Sequence, residues 1–379
     1  MADLDELLTE ALRDIAAEAP GLPPLSPQVR RRIHARRAAT VLISAVVVAG
    51  LSGGLVIGAQ ALNRAAPPGG GPQWGAAQPA IAYVTSDGAG TLTPILTATN
   101  RTLAPVKAGH SSTAVVVAPD GEMAYVANLR TVTPIRIATH TALAPIKVGQ
   151  YPENLAITPN GATLYVVNVG SSTVTAIRTA TDTAIKTIKV GRTPSGIAIT
   201  PDGKTAYVTN ANAGTVTPIR VATNTALAPI ITGQGPAGIV ITPDGRTAYV
   251  TNAGARTVTP IQVATDTALA PIRVGKSPLS IAITPDGSTV YVACQFGGTV
   301  VPIRVATNTA LAPIKVGRYP QFLAVTPDGK TVYVANSQGD TVVPIDTATN
   351  PPSSRSRPGA SPWPSRSPRT ARPPTSPAP

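Results

Sequence analysis

The chain has 379 residues, a formal net charge of +13 at pH 7, only 3% aromatic residues and a single cysteine. One cysteine excludes an intrachain disulfide. Three histidines, with no His/Cys/Asp/Glu cluster at metal-ligand spacing and no Gly-x-Ser-x-Gly motif, argue against a metalloenzyme or a serine hydrolase of the common kinds.

Residues 1–37 form an N-terminal segment. Leu4, Leu7, Leu8, Leu12 and Ile15 share one face of a short helix with an acidic first turn. A Pro-rich stretch over 20–27 follows, then Arg30, Arg31, Arg32, Arg36 and Arg37. Residues 38–62 carry no charge and are rich in Val, Leu, Ile, Ala and Gly, enough for one helix across a bilayer of about 30 Å. The arginines on its N-terminal side place that terminus in the cytoplasm and the remainder outside. Ala59-Gln60-Ala61 would suit a cleavable leader, but the long cytoplasmic segment favours an uncleaved anchor. Residues 63–79 are a Pro/Gly linker.

Residues 80–350 repeat. The marker tyrosine stands at 83, 125, 165, 207, 249, 291 and 333, in steps of 42, 40, 42, 42, 42 and 42. A period of this size built from short strands is the signature of a propeller blade. In the unit from Ser195, four β-branched runs cover 197–200, 206–209, 215–222 and 226–231. Thr200-Pro201-Asp202-Gly203 joins the first two, and Ala222-Thr223-Asn224-Thr225 joins the last two. The reading is an all-β, seven-bladed β-propeller of four-stranded blades, preceded by one transmembrane helix. Pro218 and Pro229 resist it, because proline removes a ladder donor. The outer edge tolerates Pro229; Pro218 requires that its missing N–H be unneeded. The first blade begins at its second strand and the seventh ends at its third.

The Tyr-Val-Thr-Asn segments at 207–210 and 249–252, with the Thr-Pro-Asp-Gly and Ala-Thr-Asn-Thr turns, resemble the YVTN family of β-propeller repeat proteins. Ser86 and Cys294 depart from its Asn, and Asn160 from the Asp of its turn. The resemblance covers about 79–350 and implies a bacterial propeller outside the cytoplasm, of the surface-layer or periplasmic type. It implies no shared catalytic activity.

Beyond Asn350 the repeat gives way to a Pro/Ser/Arg stretch, 351–379, of the composition of a disordered tail. With one base lost after the Asn350 codon, the shifted frame would permit the start of a fourth strand. It would then permit an Ile-Ala-Ile-Thr-Pro-Asp-Gly unit. The tail therefore reads as a frameshifted remnant of a further repeat.

The Pro-Asp-Gly aspartates recur with the turn and read as turn chemistry; Cys294 reads as a buried small hydrophobe. Lys107, Lys147, Lys189, Arg273 and Lys315 recur at one place in the fourth strand and read as solvated repeat charge. Few aromatics are free for stacking, so nucleic acid is not expected as a partner. The first-to-second and third-to-fourth turns, nearly invariant, share one face. The opposite face carries the second-to-third loops and the crossings between blades, where the units differ. There lie Arg130, Tyr151, Glu153, Arg256, Gln295, Phe296, Tyr319, Gln321 and Asp340, the candidate ligand residues. No catalytic, cofactor or metal residue is expected. The expectation is a monomeric, noncatalytic binding or scaffolding propeller, held in the cell membrane by one helix and serving an envelope protein or polymer. The alternatives are an envelope enzyme of lactonase or lyase type, or a structural surface-layer component.

Overall fold

The computed structural model describes residues 47–49, 55–56, 81–86, 89–96, 101–339 and 341–350. They form seven antiparallel sheets arranged as the blades of a propeller. In blade four the strands run Pro194–Ile199, Thr205–Asn210, Thr215–Arg220, and a fourth in two pieces, Thr225–Ala226 and Ile230–Ile231. The innermost strand starts earlier than its β-branched run, because Gly196 lets it bulge. There the Gly196 amide donates to Thr209 Oγ1 at 2.7 Å, a hydroxyl standing in for a ladder carbonyl.

The two prolines turn out to share one break in the ladder. Pro218 pairs with Tyr207 on its inner side, and its carbonyl faces outward, accepting the Leu227 amide at 2.8 Å. A residue's N and carbonyl point to the same side of a strand, so the missing donor faces the gap between Ala226 and Ile230, where Pro229 lies. Blade three carries Ala176 and Thr187 at these two places, and there the fourth strand, Thr183–Lys189, is continuous. The prolines therefore act as a pair, and they confine the break to the solvent edge.

Blades are buried on both faces by their neighbours, which is why Ala206, Tyr207 and Val208 are all solvent-inaccessible. Six hydrophobic clusters bridge six successive blade pairs, from one–two to six–seven. Stability is thus shared between nearest neighbours, as in other repeat architectures.

Three side chains knit each unit. The turn aspartate Asp286 accepts Thr284 Oγ1 at 2.5 Å and the Ser288 amide at 3.0 Å, and these bonds hold its carboxyl below its ordinary value. Asn160 does the same work in blade three, accepting Thr158 Oγ1 at 2.7 Å. The marker asparagine is buried: Asn210 Nδ2 donates to Thr217 Oγ1 at 2.9 Å, and Gly191 packs against its carboxamide, where a Cβ would come within 2.6 Å. Cys294 replaces the asparagine in blade six, fully buried, its thiol pushed up to about 11 by burial. That agrees with a packing role.

The marker tyrosine reaches across to the next blade. Tyr207 Oη donates to Asp266 at 2.5 Å, Tyr249 to Asn308 at 2.6 Å, Tyr165 to Asn224 at 2.5 Å, Tyr291 to Asn350 at 2.9 Å, and Tyr125 to Asp182 at 3.1 Å. Each acceptor sits at a left-handed position in a third-to-fourth turn, φ 50–59°, where Asn and Asp are favoured. His140 holds that position opposite Tyr83. Among the described residues, Tyr83 Oη and His140 Nε2 are both buried without a hydrogen bond.

Blade seven has three strands, Pro320–Val325, Thr331–Asn336 and Thr341–Asp346. In blade one the innermost place is taken by Val47–Ala49, antiparallel to Ile81–Tyr83 and flanked on its other side by Leu55–Val56. These five residues fall within the segment expected to be a membrane helix, 38–62, and they are extended. The inner edge of Ile81–Ser86 would otherwise expose unpaired backbone, and an uncharged valine-rich run is suited to cover it. No helix among the described residues is long and apolar enough to cross a membrane. The rest of 38–62, the segments 1–37 and 63–79, and the tail 351–379 lie outside the described residues.

Candidate functional site

The strand directions put the Pro-Asp-Gly and Ala-Thr-Asn-Thr turns on one face and the second-to-third loops and blade crossings on the other. On that second face each crossing holds a left-handed residue at the same place: Ser111, Tyr151, Thr193, Gly235, Ser277 and Tyr319, φ 51–66°. The conformation serves a bridge between blades. Tyr151 donates its amide to the Leu129 carbonyl at 3.0 Å, in the loop of the blade just left, and its carbonyl accepts Val169 N–H at 3.0 Å from the next. Ser337 N–H likewise donates to the Tyr319 carbonyl at 3.0 Å. Gly235 meets this demand without strain, whereas a tyrosine there costs about 1 kcal/mol or more. Tyr151 and Tyr319 are therefore placed against local preference.

Both tyrosines lie in aromatic or apolar company near the surface. Tyr151 is 60% exposed, and its ring lies over Gly170, where a Cβ would come within 2.6 Å of Cδ2. Phe296, 62% exposed, meets Tyr319 edge to face, with centroids 5.4 Å apart and rings at 83°. Phe296 owes its position to the short 3-10 turn Gln295–Gly297, which is anchored by Gln295 N–H donating to the Ser277 carbonyl at 3.0 Å.

The innermost strands of successive blades lie against one another around the axis. The second residues of five of them, Glu153, Ser195, Ala237, Leu279 and Gln321, and Thr113 just before Ala114–Val117, form one level at the mouth of this face. Thr113 Oγ1 donates across the blade junction to the Pro152 carbonyl at 2.7 Å. Glu153 is partly buried, and burial raises its carboxyl above the ordinary value.

The sequence-named residues do not converge on one pocket. Arg130, Tyr151 and Glu153 gather where blade two meets blade three. Gln295, Phe296, Tyr319 and Gln321 gather where blade six meets blade seven. Arg256 stands apart in blade five, exposed, at a left-handed position with φ 58°. Asp340 lies outside the described residues. Sequence reasoning passed over Arg192, Lys276 and Arg318, which occupy the crossings on the same face. Their signal was present: each falls between the Gly that ends a unit and the left-handed residue of the crossing. Among the described residues, no three His, Cys, Asp or Glu side chains are placed to hold a metal.

Comparison with known proteins bears on the fold. A family model described as "Lactonase, 7-bladed beta-propeller" matches residues 219–315, about a quarter of the chain. No curated protein matches. Among solved structures, hydrazine synthase of Kuenenia stuttgartiensis superposes with a TM-score of 0.62 at 22% identity, covering 71% of this chain and 92% of that one. A functionally unknown protein from Desulfotomaculum acetoxidans does so at 0.62 and 18%, covering 73% and 94%. The dihydro-heme d1 dehydrogenase NirN does so at 0.64 and 17%, covering 74% and 64%. At these identities the likeness is one of fold, and the chain is an all-β, seven-bladed β-propeller.

Proposed function

We propose that this protein is a noncatalytic binding propeller of the cell envelope. The observation that carries the binding role is the pair of exposed aromatic sites built on strained backbone at Tyr151 and Tyr319, on the face where the blades differ. Unfavourable conformations persist where the surrounding structure enforces them, and they concentrate at functional sites. The mouth of the axis carries one described carboxylate, Glu153, among Thr, Ser, Ala, Leu and Gln. Its raised proton affinity comes from burial and not from a charged or hydrogen-bonding neighbour.

A second reading, a lactone-hydrolysing enzyme, draws on the partial family match and on Glu153 itself. The purified chain offered a panel of aliphatic and sugar lactones separates the two. No turnover above buffer is expected. Hydrolysis that is lost in Glu153→Gln would replace the binding reading with the enzymatic one.

A further inference from the structure

The two faces of the propeller differ sharply in charge. Residues 80–350 contain nineteen Lys and Arg and twelve Asp and Glu. On the face of the turns the balance is nine cations to nine acids, because each Pro-Asp-Gly and several Asx turns supply a carboxylate. Some are locally paired there: Lys204 Nζ lies 3.5 Å from Asp202, and Arg246 Nε lies 3.8 Å from Asp244. On the opposite face stand ten cations. Five end the fourth strands (Lys107, Lys147, Lys189, Arg273 and Lys315), three occupy crossings (Arg192, Lys276 and Arg318), and Arg130 and Arg256 lie in loops.

All ten are exposed, and none makes a salt bridge among the described residues. The acid described on this face is Glu153; Asp87 and Asp340 fall in its loops by sequence. The whole excess positive charge of the repeats therefore belongs to one face. Read along the chain, these lysines and arginines are scattered; folding collects them. Uncompensated like charges on one surface repel one another and favour an oppositely charged ligand.

The form of that ligand follows from the layout. The cations are distributed from blade one to blade six, so they match a chain of repeated negative groups and not a small anion. Phe296–Tyr319 and Tyr151 offer flat apolar surfaces at two separated points on the same face; Arg318 adjoins Tyr319 in the chain, and Arg130 follows Leu129, whose carbonyl accepts the Tyr151 amide. Sugar rings stack on such surfaces through their C–H faces. Two separated platforms do not make the continuous stacking track that single-stranded nucleic acid uses. Leu129 and Tyr151 adjoin where blade two meets blade three, but Ile231 stands in blade four and Phe296 in blade six, so among the described residues they make no broad apolar patch for insertion into lipid.

Building on the binding role above, we propose that this face binds an acidic polysaccharide, a sugar chain bearing repeated phosphate or carboxylate groups. The cations hold its charges, and Phe296, Tyr319 and Tyr151 hold its rings.

The test is equilibrium binding of the full chain, in nonionic detergent, to polygalacturonate and to a phosphodiester-linked mannan. Neutral dextran, single-stranded poly(dT) and phosphatidylglycerol vesicles serve as comparators. Binding to at least one acidic glycan is expected, tighter than to any comparator and weakening as NaCl is raised, since exposed charges are screened. The triple variant Arg192→Gln/Lys276→Gln/Arg318→Gln should lose about tenfold or more in affinity, as loss of a steering cationic patch does. Phe296→Ala should also weaken binding, whereas Lys204→Gln/Arg246→Gln, on the balanced face, should not. The proposal is overturned by absence of glycan binding, by binding indifferent to the triple variant or to Phe296→Ala, or by tighter binding of poly(dT) or vesicles. Absence of glycan binding together with lactone hydrolysis would defeat the binding role as well; absence of both defeats only the glycan assignment.

Discussion

The tyrosine clasp shows how a residue's meaning depends on a partner a blade away. Tyr249 and Asn308 are 59 positions apart, one period plus seventeen, and neither is notable alone. Two expectations follow. His140→Asn would give Tyr83 the acceptor that the other clasps possess, at a left-handed position Asn tolerates well. It should add about 1 kcal/mol, the net worth of a buried hydrogen bond, visible as a raised midpoint in urea. An unchanged or lower midpoint would mean that Tyr83 is satisfied in another way. Burial also pushes the hydroxyls of Tyr83, Tyr165, Tyr249 and Tyr291 up to about 12. In the unfolded chain tyrosine ionises near 10, so between those values the unfolded state has released protons that the folded state retains. Stability is therefore full below pH 10 and declines as pH rises toward about 12. Far-UV circular dichroism followed with tyrosinate absorbance should show unfolding and ionisation together; ionisation preceding unfolding would show the clasps to be open.

Among elements, the outer strand is the vulnerable one, because its far edge has no partner. Blades one, two, four, five and six interrupt it at Pro105, Pro145, Pro229, Pro271 and Pro313, whereas blade three leaves it whole and adds Lys186 to the Lys189 that has cationic counterparts in blades one, two, five and six. Proline and lysine are alternative ways of preventing edge-to-edge pairing. Lys186→Ser/Lys189→Ser should therefore promote self-association, measured by light scattering at rising protein concentration, more than Lys204→Ser does at a turn. Equal behaviour of the two variants would remove the protective role. Why Pro218 is tolerated was not legible in one unit's sequence. The answer required knowing which side of the third strand its N–H would have faced.

For the whole molecule, the first blade's inner edge is completed by chain from the segment read as a membrane anchor. Val47–Ala49 as an innermost strand and residues 38–62 as a membrane helix are exclusive uses of the same chain. Val48 lies between Leu55 and Ala82, so its N–H faces a neighbouring strand in either orientation. Val48→Pro would remove that donor but leave a membrane helix serviceable, since such helices accommodate proline. Closure by this strand predicts a lower melting temperature for the variant, with membrane sedimentation unaltered. An unchanged melting temperature would return the segment to the membrane and leave the first blade's inner edge to another strand.

The sequence alone determined the number and architecture of the blades, because a 42-residue period of strands buried on both faces has few other solutions. It also determined the roles of Asp202, whose hydrogen bonds close within its own turn, and of Cys294, a small buried hydrophobe. It located the variable face, since strand direction follows from strand order. Tertiary structure decided what is non-local: the clasp of each tyrosine on the next blade, the shared break of Pro218 and Pro229, and the strand at Val47–Ala49. It also decided the charge of the faces. A lysine ending a fourth strand and an arginine in a crossing are separated along the chain by other signs, and only the radial stacking of blades sets cations of one kind together and their carboxylates on the far side.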